Sequence, residues 1–292
     1  MTSNSEFKPE HIKSVAVIGL GLIGASILKD LKRWSPSITR YGWSTGVTLQ
    51  AAIHDGLIEN ETDFTSIIKH ADLVVIATPI HATSDAADKI NAIKVKKPQL
   101  IIDVASVKKD IGTHFSELSN TTRTFIPTHP MGGSEKSGYA GSKIGIFKDK
   151  PWIICGDRES DFIFKNEFIK ILSDVFGSQV NFVALDVHDV AIASVSHMVL
   201  NLSHLLFDYV ARNHPDALPL AGESFVTSTR LASDNPQMLH EIGIANEDAI
   251  KKELLDFADF ITSNAQDLPK SIEYYHSNKL ARDAWLHHRR NK

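Results

Sequence analysis

Residues 15–24 run Val-Ala-Val-Ile-Gly-Leu-Gly-Leu-Ile-Gly, and few folds accommodate that order. Val15 to Ile18 read as a short buried strand. Gly19, Gly21 and Gly24 follow at G-x-G-x-x-G spacing, and Ile23, Ile27, Leu28 and Leu31 then recur at helical intervals. Gly19 suits a tight turn out of the strand. Gly21, without a Cβ, lets a pyrophosphate approach the backbone, and Gly24 lets the helix pack closely on the strand. The phosphates would rest on the free N–H groups of the helix N-terminus, around Leu22 and Ile23. A strand, a glycine turn and a helix in this order point to a dinucleotide-binding βα unit.

The alternation continues. Strand signals fall at 38–43, 72–77, 99–103, 123–126, 152–155 and 181–183. Helical patterns fall at 47–54, around 64–70, at 81–93 and from Ser106 to about residue 118. Apolar strands separated by helices predict one mostly parallel sheet covered on both faces, with its ligand crevice beyond the strand C-termini. Five glycines in 130–150 mark a long loop of the kind that is usually functional or mobile. From residue 186 the pattern turns helical, at 187–212, 221–231, 236–264 and 268–288. The expected class is therefore α/β, with a dinucleotide-binding domain over 1–185 and an all-α domain over 186–292. The 187–212 helix is apolar around much of its circumference, so it should be largely buried. A helix this apolar in a small domain often packs on a second subunit, which predicts a homodimer.

The bulk properties narrow the partners. The chain has 292 residues and a net charge of −4, so nothing argues for nucleic acid or an anionic membrane. Its one cysteine, Cys155, suits a reducing cytoplasm. No run approaches the roughly 20 apolar residues that span a bilayer. Residues 1–10 lack the apolar core of a signal peptide. No metal site is expected: His197 and His204 are separated by two helical turns rather than one.

A carboxylate about 20 residues beyond such glycines normally holds the ribose 2′-hydroxyl of NAD. Here the second strand ends Tyr41-Gly42-Trp43-Ser44-Thr45-Gly46, with no acid. Ser44 and Thr45 can hydrogen-bond a 2′-phosphate without repelling it. This leans the cofactor toward NADP and leaves NAD open.

Three further segments carry unusual polar residues: Asp103-Val104-Ala105-Ser106-Val107-Lys108; Thr128-His129-Pro130-Met131-Gly132-Gly133-Ser134-Glu135-Lys136-Ser137-Gly138; and Ser196-His197 with Phe225-Val226-Thr227-Ser228-Thr229-Arg230 downstream. With the glycine turn and Ala77-Thr78-Pro79, these resemble the prephenate and arogenate dehydrogenase family, in order from about residue 14 to 262. The resemblance implies a Rossmann-type doubly wound sheet followed by an all-α dimerisation domain. It implies oxidative decarboxylation of a cyclohexadienol on the route to tyrosine, with hydride passing to NAD or NADP.

Roles for single residues follow. His129 is the expected catalytic base, since a neutral imidazole can take the hydroxyl proton. Ser106 is expected to bond His129 or the substrate hydroxyl, and also suits a helix N-cap. Arg230 matches the family's substrate-binding arginine, whose planar fork grips a carboxylate. His197 matches its helix histidine, and Glu135 and Lys136 are placed at the cleft mouth. Thr78 and Pro79 join Gly19, Gly21, Leu22, Ile23, Gly24, Ser44 and Thr45 at the dinucleotide. Ser194, His197, Asn201 and His204 fall at offsets 0, 3, 7 and 10, a polar stripe on an apolar helix.

The chain departs from the family in reading Ser196-His197-Met198-Val199-Leu200 where Ser-His-Leu-Pro-His is frequent, and in having Leu239 where tryptophan is common. Prephenate and arogenate both remain open as substrate, and a monofunctional enzyme is expected. Two other readings are another two-domain hydroxyacid dehydrogenase and a dinucleotide sensor without chemistry. The first usually draws a catalytic lysine from the first helix of its second domain, and 186–212 contains none. The second has no need of a base and a carboxylate clamp.

Overall fold

A computed structural model describes residues 9–290 except 110, 112–117, 121 and 135. Five strands, β1 (Ser14–Ile18), β2 (Thr39–Trp43), β3 (Leu73–Ile76), β4 (Gln99–Asp103) and β5 (Arg123–Ile126), form a parallel sheet in the order β2-β1-β3-β4-β5. Alternate residues face opposite sides. Val15, Val17, Leu73, Val75, Leu100 and Ile102 pack with Ala25, Ile27, Leu28 and Leu31 of helix α1 (Leu22–Trp34). Ala16, Ile18, Val74, Ile76 and Ile101 pack on the other side, under α3 (Phe64–His70) and α4 (Ile80–Asn91); α2 (Val47–His54) follows β2. Both faces are apolar because both are covered, as a parallel sheet requires.

The sequence places 152–155 and 181–183 in this same sheet, and the structure corrects that. They lie in a second sheet of three strands, β6 (Thr128–Pro130), β7 (Pro151–Cys155) and β8 (Gln179–Val183), with β6 antiparallel and β8 parallel to β7. The cause is local. Pro127, between β5 and β6, has no N–H to continue a ladder, and its carbonyl instead accepts Cys155 N at 2.8 Å. The second sheet closes over the α1 side through Trp152 and Ile154, with Trp152 stacked on Phe176. The glycine-rich stretch after β6 is a loop with one 3-10 turn at Tyr139–Gly141, and α1 holds it. Lys143 N donates to Ser26 Oγ, and Gly145 N donates to Asp30 Oδ1 at 2.7 Å.

Beyond residue 184 the described residues form helices and their connections, with no strand among them. One helix of 29 residues, Leu185–Asn213, contains a π-helical stretch at Ala193–His197. Helices α5 (Pro236–Ala245), α6 (Glu247–Ala265) and α7 (Ile272–Arg290) follow later in the chain. The expectation that the first helix is largely buried fails within one chain. Val187, Val190, Val195, Val199, Leu205, Leu206 and Tyr209 are exposed, because the rest of the domain covers only one side of it. The reading that no run approaches a bilayer-spanning length is corrected here: by length and composition alone this helix is apolar enough to cross a membrane.

Candidate active site

In the large sheet the chain leaves β1 toward β2 on one side and β3 on the other. That reversal opens a crevice beyond the strand ends, the usual place for a dinucleotide in an open α/β sheet. Gly19 sits there at φ +103°, its N–H donating to Trp43 O at 2.8 Å. A Cβ on it would lie 2.4 Å from Ala77 O, and one on Gly24 would lie 2.0 Å from Gly19 O. The chain itself therefore demands those two glycines. Gly21 differs, because a Cβ on it would meet nothing within 4 Å. Its bareness leaves space for something other than protein. The α1 N-terminus has no side-chain cap and no acidic residue in its first turn, so its partial positive charge is not offset. These features fit a bound pyrophosphate.

Ser44 and Thr45 follow β2 at the same edge, and Thr78 and Pro79 follow β3. Thr83 Oγ1 donates to Pro79 O and lies 3.2 Å from Thr78 Oγ1. Arg40 is tied to the carbonyls of Ile38 and Leu57, which fixes its guanidinium at the other end of β2.

The next two strand ends are joined by a buried charge. Asp103 Oδ2 takes the Lys108 ammonium at 2.6 Å and the Ala105 amide at 2.9 Å. Its Oδ1 takes the Thr128 amide at 3.1 Å, and its carbonyl takes Thr128 Oγ1. One aspartate thus fixes the segments that carry Ser106 and His129. Ser106 is part-exposed in the bend after β4, and among the described residues no side-chain hydrogen bond engages it. His129 is buried on β6, on a strand rather than in a loop after one.

The helical domain completes this centre. The Asp189 carboxylate accepts the amides of Lys108 and Lys109 at 2.8 and 2.7 Å, docking the long helix on the first domain. His188 Nδ1 lies 2.7 Å from Asp189 Oδ1, and His188 Nε2 lies 3.1 Å from His129 Nδ1. Asn246 Nδ2 donates to Asp189 O at 2.9 Å and lies 3.2 Å from His197 Nδ1. In an unbroken α-helix His188 and His197 would stand roughly half a turn apart. The π-helical stretch takes in an extra residue and turns His197 back inward, a use of such bulges that recurs at functional sites. The polar stripe is met only in part inside the chain: His197 lies on Asn246 and Asn201 Nδ2 donates to His197 O, while His204 Nε2 is buried with no partner among the described residues.

The electrostatics follow from burial. Desolvation, and then the Lys108 charge, hold the His129 imidazole well below its ordinary range. Desolvation lowers His197 to about 4. Both rings are neutral at neutral pH. Burial pushes the Asp189 carboxyl up, but hydrogen bonds from His188 and the Lys108 amide bring it below its usual value.

Of the residues singled out from sequence, the fold gathers His129, His197 and the Ser106 segment around the Asp103–Lys108 pair. Arg230 is exposed and opens a 3-10 turn, Arg230–Ser233, packed against the C-terminal part of the long helix. Glu135 lies outside the described residues, and Lys136 is exposed beside it. Sequence reasoning missed His188, Asp189 and Asn246. The available signal was an adjacent His-Asp pair in an otherwise apolar helix, since a buried acid there must find partners.

Residues 27–180 match the family model described as prephenate dehydrogenase, nucleotide-binding domain, and residues 185–282 match prephenate dehydrogenase, dimerization domain. A prephenate dehydrogenase of Lactococcus lactis subsp. cremoris is 27% identical over 274 residues, covering 90% of this chain and 75% of that protein. A cyclohexadienyl dehydrogenase of Zymomonas mobilis subsp. mobilis is 29% identical over 250 residues, covering 82% of each. The crystal structure of prephenate dehydrogenase from A. aeolicus, in complex with hydroxyphenyl propionate and NAD+, superposes with a TM-score of 0.79 at 24% identity. That alignment covers 95% of this chain and 99% of the other.

Proposed function

The chain belongs to the prephenate dehydrogenase family, and on that premise we propose that it oxidatively decarboxylates prephenate or arogenate, passing hydride to NAD or NADP in tyrosine biosynthesis. The observation that carries this reading is the buried, neutral His129 at the junction of a dinucleotide crevice and a helical domain. The dinucleotide, held by the glycine turn, Ser44, Thr45, Thr78 and Pro79, supplies the hydride acceptor.

The residues of the chain do the rest. His129 takes the hydroxyl proton as the alcohol carbon becomes a carbonyl. Ser106, on the segment that Asp103 ties to His129, bonds the same hydroxyl and orients it. Arg230 and His197 hold the substrate carboxylates, Arg230 as a charged fork and His197 as a neutral donor. Glu135 is assigned to the cleft mouth. Loss of the ring carboxylate as CO2 then sends the C–C electron pair through the ring to the carbonyl oxygen, which takes its proton back from His129 as the ring becomes aromatic, and that gain drives the step.

The domain division is assigned at residue 185, where the long helix begins. The functional unit is a homodimer, supported by the match to a dimerization domain and by the apolar face that one chain leaves exposed on Leu185–Asn213. A reducing cytoplasm suits the buried Cys155 thiol.

The test is direct. Purified protein is mixed with prephenate or arogenate and with NAD or NADP, and absorbance of the reduced nicotinamide is followed. Turnover with at least one pair is expected; none with any pair overturns the proposal.

A further inference from the structure

We propose that Asp189 imposes opposite proton placements on two histidines of the site: through its carboxylate and His188 it leaves His129 with a bare Nε2, and through its backbone carbonyl and Asn246 it leaves His197 with a proton on Nε2. The inference rests on the functional reading above and deepens it, because a base needs a lone pair and a neutral anion clamp needs a proton.

The first chain of bonds starts at an acceptor. A carboxylate donates nothing, so the 2.7 Å contact from His188 Nδ1 to Asp189 Oδ1 places a proton on His188 Nδ1. An uncharged His188 ring then offers only the lone pair of Nε2. That nitrogen lies 3.1 Å from His129 Nδ1, so the proton between them is on His129. A neutral imidazole carries one N–H, and His129 Nε2 is left bare. Both rings are buried, and a buried polar contact of this kind holds one arrangement rather than several.

The second chain starts at another acceptor. The Asp189 carbonyl accepts only, so the Asn246 atom 2.9 Å from it is the amide nitrogen. The same NH2 group lies 3.2 Å from His197 Nδ1, which must therefore accept. His197, neutral because it is buried, carries its proton on Nε2.

The consequence for the reaction is a matched pair. As the alcohol O–H bond breaks, its electron pair stays on oxygen to form the carbonyl, and the proton lands on His129 Nε2. The resulting imidazolium keeps its Nδ1–H on His188, one ring away from the Asp189 carboxylate. That charge opposes the nearby Lys108 ammonium and favours proton uptake. His188, Asp189 and Asn246 are positioning residues, since each acts through a histidine that meets the substrate. Lys108, His188 and His197 act directly on His129, with Asp189 one ring beyond through His188, and Asp189 and His188 act on His197.

The test uses full-length protein labelled with 15N in histidine only, with His129 and His197 resonances assigned from H129N and H197N. Multiple-bond 15N–1H spectra above pH 7 should show His129 protonated at Nδ1 and His197 at Nε2. Either ring in the other form overturns the inference, and no substrate is needed to see it. His188→Leu should free His129 to place its proton on Nε2 and lower kcat by on the order of 10²-fold, with the dinucleotide Kd unchanged. His188→Gln, whose carbonyl can accept from His129 Nδ1, should recover much of that loss; equal activity in the two variants counts against the mechanism. If the wild-type spectra are as expected but no substrate turns over, the functional reading fails and the proton assignment stands.

Discussion

Asp103 and Lys108 form an ion pair, Oδ2 to Nζ 2.6 Å, with neither side chain exposed to solvent. The pair does more than neutralise itself. The aspartate orients the segments carrying Ser106 and His129, and the lysine also bonds Ala105 O and adds its charge to the burial that keeps His129 neutral. Lys108→Met leaves a buried carboxylate with no cation, so a loss of about 3–5 kcal/mol is expected. Urea unfolding measures it. The double variant Asp103→Asn, Lys108→Met should recover part of the loss, and a single variant as stable as wild type would show the pair to be dispensable.

His129→Asn should lower kcat by on the order of 10²–10⁴, the usual contribution of a general base, while dinucleotide binding persists. Arg230→Gln should act differently, raising KM for the substrate more than it lowers kcat. Steady-state kinetics with both substrates separates the two effects. Normal turnover by the His129 variant would refute its assignment as the base.

Ser44→Asp restores the carboxylate that an NAD-binding strand end usually has. The ratio of kcat/KM for NAD over NADP should rise. Arg40 is bound to backbone carbonyls and should not offset the change. An unaltered ratio would refute the reading of this position.

Asp30 is buried on α1, with Oδ1 on Gly145 N and Oδ2 without a partner among the described residues. Burial raises its pKa from 3.8 to about 6. A carboxyl raised on folding favours the protonated native state, so its contribution is fully present below pH 3.8 and is lost as pH rises through about 6. The penalty above that window is up to about 3 kcal/mol. Asp30→Asn should therefore raise Tm at pH 8 and change it little at pH 4. Thermal melts across that range check it; equal shifts at both ends would contradict the assignment.

The opening βα unit was legible because its signals are local: strand, turn and helix lie within twenty residues and each glycine has its own steric reason. The strands at β7 and β8 were legible as strands but not as members of a second sheet, since pairing is decided by distant partners and by the break at Pro127. His129, Ser106 and His197 were visible through their motifs. His188 and Asp189 were not, because their roles depend on contact with His129, 59 residues away in sequence. The long helix reads as apolar, which it is; how much of it one chain covers cannot be written in its periodicity.

That helix serves two surfaces whose demands differ. Its first turns must aim His188 and Asp189 at the catalytic centre, while its later turns offer an apolar flank outward. The wide coil at Ala193–His197 sets the angular offset between them. Removing one residue there would restore a regular α-helix and swing everything after it by roughly a quarter-turn or more. His197 would then face away from Asn246, and the outward flank would face a new direction. The irregularity is therefore a gear between chemistry and assembly, and sequence drift on the flank can proceed without disturbing the aim of the site.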